Sequence, residues 1–211
     1  MTILITWSDE KMNYYIGDLH FSHKNVTNEG SNFDNRPFAT LEEMHSVIKE
    51  NWNNAVTNAD HVYILGDLAW KENEDMISFI STLKGNKHLI LGNHDKCADQ
   101  RYKQLFVEIC NYKEINDKAD GKEYRIVMSH YPMAFWNHQH HYRKDGKEHN
   151  VWAIQLYGHV HNSIEETIFQ DFIKDLNSKH DIKCAATNVG VMMPYMDYAP
   201  RTLEEIIAIK E

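Results

Sequence analysis

Cysteine is scarce: Cys97, Cys110 and Cys184 are the only three in 211 residues, and they lie far apart. An odd, scattered set is neither a disulfide framework nor a zinc-ribbon spacing, and it points to a reducing cytoplasm. No apolar run approaches the ~18 residues of a membrane span. Met1 to Trp7 lacks the basic flank that opens a signal peptide. Positive charge is short as well, with 22 Lys and Arg against 31 Asp and Glu, a formal net charge of −9. That balance argues against sequence-independent binding to long nucleic acid. A short nucleotide stays open, because a metal site supplies its own positive charge. Internal repeats, low-complexity tracts and clear linkers are absent, so the length reads as one domain over residues 1–211. Within it, residues 1–11 read as an extension ahead of Met12, or as an edge strand at Ile3-Leu4-Ile5.

Histidine, by contrast, is abundant at 14, and five of these residues fall in short polar stretches that share one design. The stretches are Ile16-Gly17-Asp18-Leu19-His20, Leu65-Gly66-Asp67-Leu68, Gly92-Asn93-His94-Asp95, Met128-Ser129-His130-Tyr131-Pro132 and Tyr157-Gly158-His159-Val160-His161. Each comes at or just after an apolar segment that reads as a strand. Asp18 and His20 are two apart, as are His159 and His161, so in extended chain each pair faces one way.

Between these stretches the pattern predicts alternating strands and helices. Thr40 with Glu43 forms a capping box ahead of a helix whose apolar face is Leu41, Met44, Ile48, Trp52 and Ala55. Strands are expected at 14–16, 62–65 and 88–91, with a helix from about 74 to 84 and a short one at 99–106. Two further strands, 112–115 and 123–128, meet at an Asp120-Gly121 turn. A polar loop over 133–150 precedes a strand at 152–157. Next come a helix over 165–177 with Ile168, Phe172 and Leu176 inward, and a strand at 183–189. A second capping box, Thr202 with Glu205, opens a C-terminal helix. In open sheets of this kind ligands bind beyond the carboxyl ends of the strands.

Asp18, His20, Asp67, Asn93, His130, His159 and His161 are seven oxygen or nitrogen ligands with no thiolate. One ion takes four to six ligands, so seven plus water suit two divalent ions that share a carboxylate. Oxygen with imidazole suits manganese first, with iron, zinc and nickel as alternatives. Such a pair acidifies a shared water and stabilises both oxygens of an in-line displacement at phosphorus. Any one of these residues alone reads more readily as a turn cap or a surface histidine. Five repeats of the design make the metal site the better reading.

The order Gly-Asp-x-His, Gly-Asp, Gly-Asn-His-Asp, Ser-His, Gly-His-x-His resembles the calcineurin-like metallophosphoesterases, and most closely their compact bacterial and phage-type members. The match runs over about residues 13–205, including Asn188-Val189-Gly190 and the 200–206 segment. The resemblance implies an α/β fold, a four-layer α/β/β/α sandwich of two mixed sheets with the metals at one edge. It implies that Asp18, His20 and His161 bind one ion, that Asn93, His130 and His159 bind the other, and that Asp67 bridges them. Hydrolysis of a phosphodiester or nucleotide-like phosphoester by in-line attack of a metal-bridging hydroxide follows as the expected activity. Alternatives are a nuclease acting on short nucleic acid, a phosphomonoesterase or protein phosphatase, and a non-catalytic metal-binding scaffold.

By the same resemblance His94 contacts the phosphate and protonates the leaving oxygen. Asp95 beside it either orients that ring and raises its pKa or caps a turn. His23 lines the site or sits in water. Arg36, in an Arg-Pro-Phe that the subgroup shares, clamps phosphate or pairs with an acid. Trp136 stacks with Phe135 on a base, or the two anchor a solvated loop. His138, His140, His141 and His149 lie in that same loop. Oligomeric state is not legible.

Overall fold

The computed structural model describes residues 11–145, 148–180 and 182–209. The Ile3-Leu4-Ile5 segment lies outside them. Two mixed sheets carry the molecule. In the first, strands β1 (Asn13–Ile16), β2 (His61–Leu65), β3 (Asn86–Ile90) and β4 (Glu108–Cys110) run parallel, and β11 (Arg201–Thr202) pairs antiparallel with β1. The second has the order β10 (Ala185–Asn188), β9 (Ala153–Tyr157), β6 (Lys122–Ser129), β5 (Tyr112–Ala119). There β10, β9 and β6 are parallel, and β5 closes a hairpin onto β6 through Asp120 and Gly121, both at positive φ.

Period-two alternation sets the layers. Tyr15, Tyr63 and His88 share one register across β1, β2 and β3, with Tyr15 against Tyr63 and Tyr63 against His88 as stacked rings. The Tyr15 hydroxyl reaches Asp117 of β5, so this face meets the second sheet. The opposite face carries Tyr14, whose hydroxyl donates to the Ala55 carbonyl, and Lys87, which donates to the Leu83 carbonyl. It meets helices α1 (Leu41–Ala55) and α2 (Glu74–Ser81). In the second sheet, Ile126, Met128, Ile154 and Leu156 join the main core. Their neighbours Val127, Ala153 and Tyr157 pack on the other side with Ile173 and Leu176 of α4 (Ile164–Lys179). Helix, sheet, sheet, helix is the four-layer order.

Helix α1 is held as its sequence suggests. Thr40 accepts the Glu43 amide, and Met44, Ile48 and Trp52 are fully buried, each contributing about 1.5–3 kcal/mol by burial. Its capping is one-sided, since the Glu43 carboxylate takes the Ala39 amide. The Thr202 box ahead of α5 (Leu203–Ala208) is reciprocal.

Three expectations change. Helix α3 is a single turn, Gln100–Lys103. The 133–150 loop contains a hairpin, β7 (Tyr142–Asp145) with β8 (Glu148–Val151). On α4 the inward residues are Glu166, Ile173 and Leu176, with Phe169 and Phe172 beside them, whereas Ile168 is exposed. Glu166 decides the rotation: its carboxylate accepts from the Tyr157 hydroxyl at 2.7 Å and the Asn188 amide at 3.2 Å, so it is buried but satisfied.

Candidate metal centre

The carboxyl ends of β1, β2, β3, β6 and β9 meet along one edge, where a bridge between Gly17 and Gly190 joins the two sheets. Here the backbone leaves the strands abruptly. Asp18, His20, Asp67, His159 and His161 all have φ between 50° and 69°. That region costs non-glycine residues of order 1–3 kcal/mol and persists where surroundings over-determine it. Glycines make room beside the turns. A Cβ on Gly92 would lie 2.2 Å from Asp67 Oδ1, and one on Gly158 would lie 2.3 Å from Asp18 Oδ2.

All seven predicted ligand residues come together. His20 Nε2 lies 3.1 Å from His161 Nε2, and His161 Nε2 lies 3.7 Å from Asp18 Oδ1. On the other side Asn93 Oδ1 sits 3.1 Å from His130 Nε2 and 3.0 Å from His159 Nδ1. Asp67 Oδ2 stands between the halves, 3.7 Å from His20 Nε2 and 3.5 Å from His130 Nε2. Two tight groups able to hold an ion result, Asp18–His20–His161 and Asp18–Asp67–His130. The inner members are deep: Asp18, His20, Asp67 and His130 are buried, while His159 and His161 are partly exposed and Asn93 is exposed.

The donor set fits a cation. The His130 Nδ1–H donates to the Leu65 carbonyl at 2.9 Å, and the His161 Nδ1–H to Asp34 Oδ2 at 3.0 Å. Each ring therefore turns its Nε2 lone pair toward a carboxylate. Lone pair facing lone pair is stabilised by a cation held between them. Burial pushes His20 well below its ordinary pKa, with Arg36 and His161 adding to the effect, so it stands neutral as a ligand must. Burial raises the Asp18 carboxyl, against the pull of His161 and His130.

Asp34 was not singled out by the sequence reading. Burial would raise its pKa, but the His161 hydrogen bond and the Arg36 charge outweigh that and hold it below the usual carboxylate range. It backs a ligand histidine in the way carboxylates commonly do at metal sites. Its only signal was an acid two residues before Arg36.

Three other assignments change. Arg36 is 1% exposed: it pairs with Asp34 at 3.0 Å and donates to the carbonyls of Asp18 at 2.8 Å and Leu19 at 3.0 Å. It braces the centre from within and has no face left for a phosphate. Trp136 is buried in the second core with Val127 and Tyr157, so it does not stack on a base. Asp95 accepts the amides of Asp67, Leu68 and Gly92 at 2.8–3.0 Å. It is a turn cap joining two ligand loops, not the partner of the His94 ring. His23 lies beside the site and packs edge-on against Trp70, with ring centroids 4.1 Å apart.

The His94 amide donates to Asp67 Oδ1 at 2.9 Å, while its ring, 39% exposed, places Nε2 4.0 Å from Asp67 Oδ2. Three exposed rings surround the centre. Trp70 is 4.8 Å from the His94 ring, Tyr131 4.4 Å from His159, and Phe33 5.4 Å from His161. None was predicted, because single aromatics in polar loops carry no periodic signal.

Two sheets delivering aspartate, asparagine and histidine to one edge define a layered α/β metallohydrolase. The family model for calcineurin-like phosphoesterase matches residues 14–163, well over half of the chain. The protein belongs to that family of metal-dependent phosphoric ester hydrolases. It is 30% identical over 201 residues to an uncharacterised protein of Methanocaldococcus jannaschii, covering 94% of this chain and 90% of that one. The Gene 66 protein of one Mycobacterium phage is 24% identical over 165 residues, covering 72% of this chain and 79% of that protein. The solved structure of a protein of unknown function from Aquifex aeolicus aligns with a TM-score of 0.62 and 27% identity, over 95% of this chain and all of that one.

Proposed function

We propose that the protein is a two-ion phosphoesterase that hydrolyses a phosphodiester or nucleotide-like small phosphoester. The observation that carries this reading is the position of Asp67 Oδ2, within 4 Å of a histidine from each half of the centre. One half is Asp18, His20 and His161; the other is Asn93, His130 and His159. Two divalent ions held there would supply positive charge that acidifies water and stabilises the attacking and leaving oxygens of an in-line displacement. Manganese suits the donors first, then iron, zinc or nickel.

His94 stands over the shared carboxylate with its ring exposed, placed to hydrogen-bond the phosphoryl group and give a proton to the leaving oxygen. Asp67 orients His94 by accepting its amide. The exposed rings of Phe33, Trp70 and Tyr131 favour an ester with organic groups around its phosphorus. The net charge of −9 weighs against long nucleic acid. Among the described residues no helix is long and apolar enough to cross a membrane, and Cys97 and Cys110 are free thiols. The thiols fit the reducing cytoplasm in which we place the protein.

The test is hydrolysis of bis-p-nitrophenyl phosphate and p-nitrophenyl phosphate by metal-stripped protein given each metal in turn. Activity should require metal, reach its highest rate with manganese and favour the diester. His94→Ala should lower turnover about 10²–10⁴-fold with metal still bound. Loss of metal in that variant would make His94 a ligand and defeat its assigned role.

A further inference from the structure

We propose that the groove on the outer side of His94 is a leaving-group subsite built for a nucleotide, with a base against Trp70 and a phosphate between Lys71 and Lys96. This rests on the phosphoesterase reading above. The groove has a volume of about 420 Å³, and Trp70, Lys71, Glu72, His94 and Lys96 are among its lining residues. Volumes of this order suit a small organic ligand. Trp70 is 42% exposed beside His94, a large ring left in water next to the group that meets the substrate. Such rings are stacking platforms for bases.

Charge bookkeeping in the groove points to an anion. Its acids are already engaged. Glu72 accepts the backbone amides of Cys97, Ala98 and Asp99. Asp99 is paired with Arg101 at 2.9 Å. Among the described residues neither Lys71 nor Lys96 makes a hydrogen bond or ion pair, and both are exposed. Two uncommitted ammonium groups thus face one groove on a protein of net charge −9. The walls are also fixed. Glu72 clamps the loop after β2 to the loop after β3, and Asp95 clamps the same two loops nearer the metals. Preorganised walls lose little freedom on binding.

His94 sets the direction. Water adds to phosphorus and releases one proton to solvent, the bond from phosphorus to the leaving oxygen breaks, and its electron pair stays on that oxygen, which takes the His94 proton. The departing half therefore lies on the His94 side, where the groove is. A nucleotide supplies both a ring for Trp70 and charge for the lysines.

The experiment compares diadenosine 5′-pyrophosphate, whose leaving group is adenosine 5′-monophosphate, with bis-p-nitrophenyl phosphate, using manganese-loaded protein. The variants are Trp70→Ala, Trp70→Phe and the double Lys71→Ala/Lys96→Ala, all surface changes. Binding of adenosine 5′-monophosphate is measured in parallel by ligand-observed NMR. The double lysine variant should lose at least about tenfold more kcat/KM on the pyrophosphate than on the nitrophenyl ester, whose leaving group carries no phosphate. Trp70→Phe should recover most of what Trp70→Ala loses, and nucleotide binding should weaken about tenfold in the alanine variants. Equal losses on both esters, or unchanged nucleotide binding, overturn the subsite and leave the phosphoesterase reading standing. Weakened nucleotide binding in the variants with no hydrolysis of either ester supports a nucleotide site in the groove but overturns both its leaving-group role and the phosphoesterase reading.

Discussion

The two halves of the centre are braced by different means. On one side His161 is backed by Asp34, Asp34 by Arg36, and Arg36 also holds the Asp18 and Leu19 carbonyls. One buried guanidinium thus fixes a ligand ring through a carboxylate and the backbone of a second ligand directly. On the other side His130 is backed by a main-chain carbonyl, that of Leu65, and Asn93 is open to solvent. The first half depends on side chains that mutation can remove without touching a ligand. In the second the ligand ring is fixed by the backbone of β2, and the side-chain brace is Asp95, which caps the loops that carry Asp67 and Asn93. The more enclosed first half should also hold its ion more tightly.

The most damaging change should be at the residue both halves share. Asp67→Ala should release both ions and reduce hydrolysis to background, read by metal analysis of the purified variant. Retention of one full equivalent would show that Asp67 serves a single side. Arg36→Ala comes next. It leaves the buried Asp34 with only its His161 hydrogen bond and takes the donor from the Asp18 and Leu19 carbonyls, which should cost about 3–5 kcal/mol in urea unfolding of the metal-stripped protein. A change near zero would mean that the brace is ornamental. Asp34→Ala should weaken the ion on the His161 side about 10–100-fold by metal titration, with the other ion much less affected. Equal weakening of the two would erase the distinction between the halves. Smallest is Thr202→Ala at the remote capping box, about 1 kcal/mol of stability with both metal affinities unchanged.

The same contrast explains what the sequence disclosed. Strand ends carrying Asp, Asn or His after a glycine are local patterns, so the seven side chains that meet at the sheet edge were legible without coordinates. The two sheets were legible only through the family resemblance that these blocks carry, because the strand and helix periods alone give no more than a layered α/β protein. Arg36 was misread because a guanidinium that fits phosphate also fits a carboxylate and two carbonyls, and only burial separates these uses. Asp34 lies in a loop of Asn, Ser and Gly with no period to mark it. Trp136 sits in a polar stretch that gives no hint of the core beneath it. Helix α4 carries two apolar stripes, one through Ile168 and one through Phe169 and Ile173. The choice between them depends on the pairing of Glu166 with Tyr157 and Asn188, a contact between distant segments.

The most direct test of the account is anomalous diffraction from crystals of the manganese-loaded protein. It predicts two ions per chain, one among Asp18, His20 and His161, the other among Asn93, His130 and His159, with the Asp67 carboxylate between them. A single ion, or an ion held by residues outside this set, would contradict it.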